Sequence, residues 1–391
     1  MNRITRQLAP AAIVAISALC LGSARAENEQ DPPHNAYAVT PVVSDISGVA
    51  ANTDPVLQNA WGVAFSPSGS PFWVNDNATG CATLYDGAGI AVALQVKIPL
   101  PGNVVAPGTC KHVDPNNPPS PTPAAPTGMI WNASSSFLVP GTKIQAAFIF
   151  ATEDGTISAW GGGLTPADTA VIAADNSAVP SAGNGAVYKA LVFAVNAKGP
   201  FLFATNFRAG TIDVFAPTGP NGSYVLTTTD GGFTDPEIPA GYAPFGMQLV
   251  DGDLFVTYAK QNAQKHDDVA GPGNGFVDVF DTDGHLLRRF ASRGHLNSPW
   301  AVAVASYNFG PFSGAILIGN FGDGRIDAYD RRGRFIDELR DVDGRPIEID
   351  GLWTLTLGGG RHSSPDTLFF TAGPNGETDG VFGTITPVAG N

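Results

Sequence analysis

Charge is scarce in this chain: only 14% of its residues are Asp, Glu, Lys or Arg. Ala, Glu, Lys and Leu nowhere gather into long helical stretches, which excludes a bundle of helices as the organising architecture. The apolar residues 11–21 are about half of the roughly 20 residues that a membrane span needs, and no later stretch is long enough either, so no membrane span is expected. Short catalytic signatures are missing too. There is no HExxH or His-x-His pattern and no Gly-x-Ser-x-Gly elbow, so a zinc peptidase or an α/β-hydrolase has no support. Basic residues are outnumbered 21 to 35, a net charge of −14. An acidic surface repels phosphate backbones and acidic membranes, which argues against nucleic acid as a partner.

What is plentiful is glycine and proline, 47 and 32 of 391 residues. That composition suits many short strands joined by turns. Residues 299–334 show the pattern best. Three apolar runs, 300–305, 315–319 and 325–329, are separated by turns and followed by a fourth run at 335–339. Such four-strand units recur, their first strands beginning near residues 61, 127, 190, 245, 300 and 352. The intervals of 66, 63, 55, 55 and 52 residues fit propeller blades carrying loop insertions. Asp323-Gly324 and Asn274-Gly275 fall where a hairpin needs positive φ. Asp281 and Asp330 begin the turns before fourth strands, where a short carboxylate can accept from the backbone two residues on. The sixth unit lacks a fourth strand, and a lone strand at 42–46 is free to supply it, sealing the ring and removing an exposed edge. The sequence therefore predicts an all-β fold, a six-bladed β-propeller closed by an N-terminal strand. It spans residues 40–391, with a proline-rich loop at 99–126.

Residues 1–26 read as an export signal: Arg3 and Arg6, an apolar core, then the small-x-small pattern Ala24-Arg25-Ala26. Residues 27–39 read as a disordered leader. An exported chain, periplasmic or extracellular, is expected, and a monomer. Cleavage would remove Arg3, Arg6 and Arg25 and take the charge from −14 to −17. Cys20 would leave with the signal, and Cys81 and Cys110 would remain as a pair in an oxidising compartment. A bridge between them would close a loop of about 30 residues, worth roughly 3–4 kcal/mol in the chain-entropy model.

In a propeller, the loop into strand one and the loop between strands two and three meet at one mouth of the central channel. Loops of the first kind carry Asn59, Trp61, Trp300 and Trp353, and loops of the second carry Asn75, Asn77, Glu153, Asn206 and Asn320. Amide and carboxylate oxygens beside aromatic rings can hold Ca²⁺ or a polyol. The longest polar insertion on this face, residues 258–275, carries Tyr258, Lys260, His266, Asp267 and Asp268. Lys260 is a candidate base or charge clamp, and His266 with Asp267 or Asp268 a candidate metal pair. Asp281-Thr282-Asp283-Gly284 resembles a calcium loop, but its twelfth position is Ser292, where a bidentate Glu is needed, so it reads as a turn. The candidate binding residues are thus Asn75, Asn206, Tyr258, Lys260, His266, Asp267, Asp268, Asn320 and Trp300.

The runs FVTYAKQNAQKHDDVAGPGNGFVDVFDTDG, IGNFGDGRIDAYD and PTGMIWN occur in order. On them the chain resembles, over roughly residues 40–387, a family of uncharacterised bacterial exported β-propellers of the NHL-repeat kind. The resemblance implies the fold and brings no activity and no catalytic residue. Two functions follow as expectations: a module binding a partner protein or carbohydrate at the channel mouth, or a Ca²⁺-dependent hydrolase or lactonase-like enzyme. The second would hold its ion on Asn75, Asn206 and Asn320, and rests on analogy between folds.

Overall fold

Each of the six units folds into an antiparallel sheet of its own in the computed structural model, which describes residues 34–217 and 220–388. The expected export signal and most of the expected leader lie outside the described residues. Five sheets have four strands and the sixth has five. Their innermost strands are Ala60–Ala64, Pro126–Trp131, Tyr188–Asn196, Tyr242–Val250, Pro299–Val304 and Leu352–Leu357. Each touches the next, and the last touches the first, so the six blades surround one axis. The only α-helical residues among those described are the single turn Pro374–Glu377, and no helix is long and apolar enough to cross a membrane.

The ring is closed by the strand Tyr37–Ser44, paired antiparallel with Val381–Pro387 in blade six. Pairing runs from Tyr37–Pro387 to Ser44–Val381, so the closing strand starts inside the expected leader and ends before Asp45. Sequence reading placed it later, at 42–46, because Pro41 interrupts the run. The structure accommodates the proline beside a register shift between Pro41, paired with Gly383, and Val43.

Aromatic residues fill the six gaps between neighbouring blades. Trp73 stacks on Phe148 at 4.0 Å between blades one and two, and Phe137 meets Tyr224 at 4.9 Å between two and three. Phe233 lies 5.5 Å from both Phe203 and Phe280 between three and four, and Phe290 meets Tyr329 at 5.7 Å between four and five. Tyr37 of the closing strand packs on Phe309 at 4.8 Å between five and six, and Phe72 packs on Phe369 at 4.5 Å between six and one. Pairs of this kind add about 0.5–1.5 kcal/mol each beyond the area they bury, so blade contacts reinforce one another around the ring.

Turn chemistry follows the expected residues with one exception. Asp281 accepts from the Asp283 N–H at 3.0 Å and Asp330 from the Arg332 N–H at 2.9 Å, so both aspartates serve turns. Gly324 has φ +72°. Gly275 instead begins an extended strand, and positive φ falls on Gly273. Gly275 is needed for space: a Cβ there would lie 2.5 Å from Pro299 Cδ.

The proline-rich loop expected over 99–126 carries no strand up to 125, but Pro126 already begins the inner strand of blade two, and Cys110 ties the loop to Cys81 through a disulfide with Cα atoms 5.0 Å apart. The Gln58 side chain exchanges hydrogen bonds with the Val113 backbone, at 2.7 and 3.1 Å, which brings this loop to the rim of the channel mouth.

Candidate functional site

One irregularity, repeated in every blade, builds the mouth. Where strand one meets strand two, pairing skips two residues: Ala60–Asp76 is followed by Val63–Val74, and Tyr188–Asn206 by Leu191–Ala204. The same step occurs in blades two, four and six, whereas in blade five Pro299–Asn320 is followed by Ala301–Gly319, so that Trp300 alone is left over. The first bulged residue is Trp61, Thr127, Lys189, Phe245, Trp300 or Trp353 in turn. A bulge breaks strict alternation and re-aims a side chain, and here four of the rings so placed gather together. Trp61 stacks on Trp353 at 3.4 Å, Trp300 stands edge-on to both at 6.4 and 6.0 Å, and Phe245 lies 5.9 Å from Trp353. The second bulged residue is small in most blades because the next blade's backbone comes close. A Cβ on Gly62 would sit 2.3 Å from Thr127 O, and one on Gly246 would sit 1.9 Å from Trp300 O.

Side chains of strand two lock these bulges together. Thr205 accepts from the Ala190 N–H and donates to Phe245 O in the next blade, both at 2.9 Å. Thr371 accepts from the Thr354 N–H and donates to Trp61 O. Asn75 donates to Thr127 O at 2.7 Å.

Lys189 is the one charged residue at the bulge position, and it is buried. Its ammonium pairs with Glu153, lies 3.6 Å from Asp267 Oδ1, and faces the rings of Trp61 at 5.3 Å and Phe207 at 5.9 Å. Burial works against this charge, but Glu153 outweighs it and holds the lysine above its ordinary pKa. Asn77 donates to the second Glu153 oxygen at 3.0 Å. Asn59 donates to Asn77 at 3.2 Å and to Glu377 Oε2 at 2.7 Å, and its own oxygen accepts from the Trp353 indole at 2.9 Å. His266 Nδ1 lies 2.7 Å from Asp267 Oδ1. The His266 hydrogen bond, helped by Lys189, pulls the Asp267 carboxyl down to about 2. Burial, with repulsion from Glu153, pushes Glu377 up to about 7. Five blades thus send polar side chains to one cup above an aromatic floor.

The nine expected residues separate into two groups. His266 and Asp267 reach the cup, and Trp300 forms part of its floor. Asp268 sits half-buried behind them, its carboxyl raised by that burial. Asn75 is a strut between blades. Asn206 donates to Asp213 at 3.0 Å and Asn320 to Asp327 at 3.0 Å, so both are engaged inside their own blades. Tyr258 is buried inside blade four beside Asp278, and Lys260 is exposed at a strand end. The reason is period two in a strand. Asn206 and Asn320 point into the blade, while the residues that follow them, Phe207 and Phe321, turn to the aromatic floor, where Phe321 stacks on Trp353 at 3.9 Å. Lys189 and Glu377 were absent from the expected set. Aligning the six units at the bulge would have exposed Lys189, since the other five positions hold Trp, Thr or Phe.

Fold and site together define a six-bladed β-propeller with a polar cup at one channel mouth. No protein-family model matches the sequence. Two uncharacterised proteins of Acanthamoeba polyphaga mimivirus are each 29% identical to it, over 352 and 353 residues, covering 89% of this chain and 80% and 85% of their own lengths. A structural genomics protein of unknown function from Bacteroides thetaiotaomicron superposes with a TM-score of 0.52 at 10% identity, over 90% of this chain and 76% of that one. A gluconolactonase from Xanthomonas campestris superposes with a TM-score of 0.48 at 14% identity, over 91% and 98%. The sequence relatives are viral, so they lend no support to the bacterial origin that the resemblance implied, and none of these likenesses carries an NHL-repeat assignment. What the chain shares with the solved structures is its fold.

Proposed function

We propose that the protein is an exported recognition module that binds a neutral, polyhydroxylated ligand, a glycan, in the polar cup. One observation carries this reading: Asn59, Asn77, Glu153, Lys189, Asp267 and Glu377, drawn from five blades, converge on one mouth. Alternating donors and acceptors suit vicinal hydroxyls, and the surplus of carboxylates disfavours an anion. The Cys81–Cys110 disulfide supports an oxidising location outside the cytoplasm. Isothermal titration of the processed chain against a panel of oligosaccharides tests the reading. Binding to at least one glycan, weakened at least tenfold by Asp267→Ala and by Asn77→Ala, is expected; a panel with no binder would overturn it.

A second reading, a hydrolase or lactonase-like enzyme, has one observation of its own. Asp267 near 2 and Glu377 near 7 are two carboxyls whose environments push their pKa values apart, the pattern of an acid–base pair. Calcium on Asn75, Asn206 and Asn320 is not part of it, because those amides already bond within and between blades. At the cup itself, Glu153, His266 and Asp267 offer ligand atoms within 4.8 Å of one another, but the Lys189 ammonium already stands against two of them. Turnover of lactone or ester substrates, abolished by Glu377→Gln, would favour this reading over simple binding.

A further inference from the structure

Blades four and five differ at one cross-strand pair. In blade four, Asp278 on strand three stands opposite Arg289 on strand four, and the two form an ion pair. In blade five the corresponding aspartate, Asp327, stands opposite Glu338. Two carboxylates directly across an antiparallel ladder repel, and here both are buried. Asp327 Oδ2 accepts from Asn320, but its Oδ1 is buried and meets no donor. A buried oxygen left unpaired costs roughly 1–3 kcal/mol, more when charged. Arg325 reaches Glu338 only at 3.4 Å, while holding Glu348 at 2.8 Å. Asp323 adds a further negative charge near Asp327, and the Tyr329 hydroxyl also faces it. Blade five therefore has no cation directly opposite its aspartate, where blade four has Arg289, although in blade four too one aspartate oxygen, Asp278 Oδ2, is buried without a donor.

His295 supplies the remaining group. It lies in the crossover between the two blades, its ring flat on Phe335 at 3.8 Å and its Nδ1 3.4 Å from Glu338 Oε1. One ligand atom each from His295, Asp327 and Glu338 lie within 4.8 Å of one another. We propose that these three residues form a divalent transition-metal site, with Zn²⁺ the cation that suits it best. One imidazole with two carboxylates suits zinc or its first-row neighbours, whereas Ca²⁺ takes oxygen ligands. Bonds of about 2.0–2.2 Å require the three ligand atoms to draw closer. The exposed His295 can move to allow it. The bound ion would pair the free Asp327 oxygen, relieve the cross-strand repulsion and clip the crossover to the outer strands of blade five.

The test is calorimetric titration of the chelator-treated protein with Zn²⁺, on the native chain and on His295→Ala, Glu338→Gln and Asp267→Asn. One zinc per chain with a Kd below about 10 µM is expected, weakened at least tenfold by the first two substitutions and unchanged by the third, which identifies any zinc held at the mouth. His295 lies at the surface, so His295→Ala is expected to keep the fold, whereas a substitution at the fully buried Asp327 would disturb the packing of its blade. Absence of zinc binding, or binding that only Asp267→Asn disturbs, would overturn the proposal.

Discussion

At the scale of single residues, the cup depends on Lys189. A buried ammonium is tolerable only because Glu153 and Asp267 stand against it. Lys189→Met leaves the largely buried Glu153 carboxylate without its cation and is expected to cost about 3–5 kcal/mol in urea unfolding. The pair Lys189→Met/Glu153→Gln should recover most of that loss. Glu377 has the opposite character. Its folded pKa is raised from 4.5 to about 7, so the folded state holds this proton more tightly than the unfolded chain. Its contribution is fully present below pH 4.5 and is lost as pH rises through 7. Between pH 5 and pH 8 the native chain should lose up to about 3 kcal/mol that Glu377→Gln does not lose, measured as the difference between their denaturation midpoints. Loops rich in Asn and Asp could be read from the sequence, but side-chain direction could not. One step along a strand reverses the face, which separates Asn206, inside its blade, from Phe207 on the floor.

At the scale of elements, the working device is the bulge in each inner strand. It needs a small second residue, because the neighbouring blade's carbonyl fills the space a Cβ would take. Gly246→Ala is expected to lower the melting temperature by several degrees, equivalent to at least about 2 kcal/mol, since Trp300 O would lie 1.9 Å from the new methyl. Blade boundaries, the four main strands of each blade and the Asp-led turns were legible, because apolar runs and turn residues are local signals, but the short parallel strand Asn52–Thr53 that gives blade six its fifth strand was not. The bulges were not. Trp61-Gly62, Phe245-Gly246 and Trp300 read as ordinary strand starts until pairing with strand two shows two residues left over in blades one and four and one in blade five. Cys81 and Cys110 were legible as a pair, and the bridge anchors the proline-rich loop beside the mouth.

At the scale of the whole molecule, the site exists only because the ring closes. Blade six brings Glu377 and Trp353 against Asn59 and Trp61 of blade one, and the strand Tyr37–Ser44 completes blade six. Closure was legible from the incomplete sixth unit, although Pro41 hid where the strand begins. Tyr37 ties that strand to blade five, packing on Phe309 and donating to its carbonyl at 2.8 Å. Tyr37→Ala should cost about 3–5 kcal/mol, and as a drop in the single global unfolding transition rather than a local fraying, seen when calorimetry and fluorescence give the same midpoint. The most direct test of the cup as the ligand site uses the six tryptophans. Trp61, Trp300 and Trp353 form its floor, whereas Trp73 and Trp160 pack together between blades and Trp131 lines the cavity of ≈ 280 Å³ at the other end of the inner strands. In a ¹H–¹⁵N spectrum of the indole N–H groups, adding a bound glycan should shift Trp61, Trp300 and Trp353 and leave the other three in place. Shifts confined to Trp131, or to Trp73 and Trp160, would contradict the assignment.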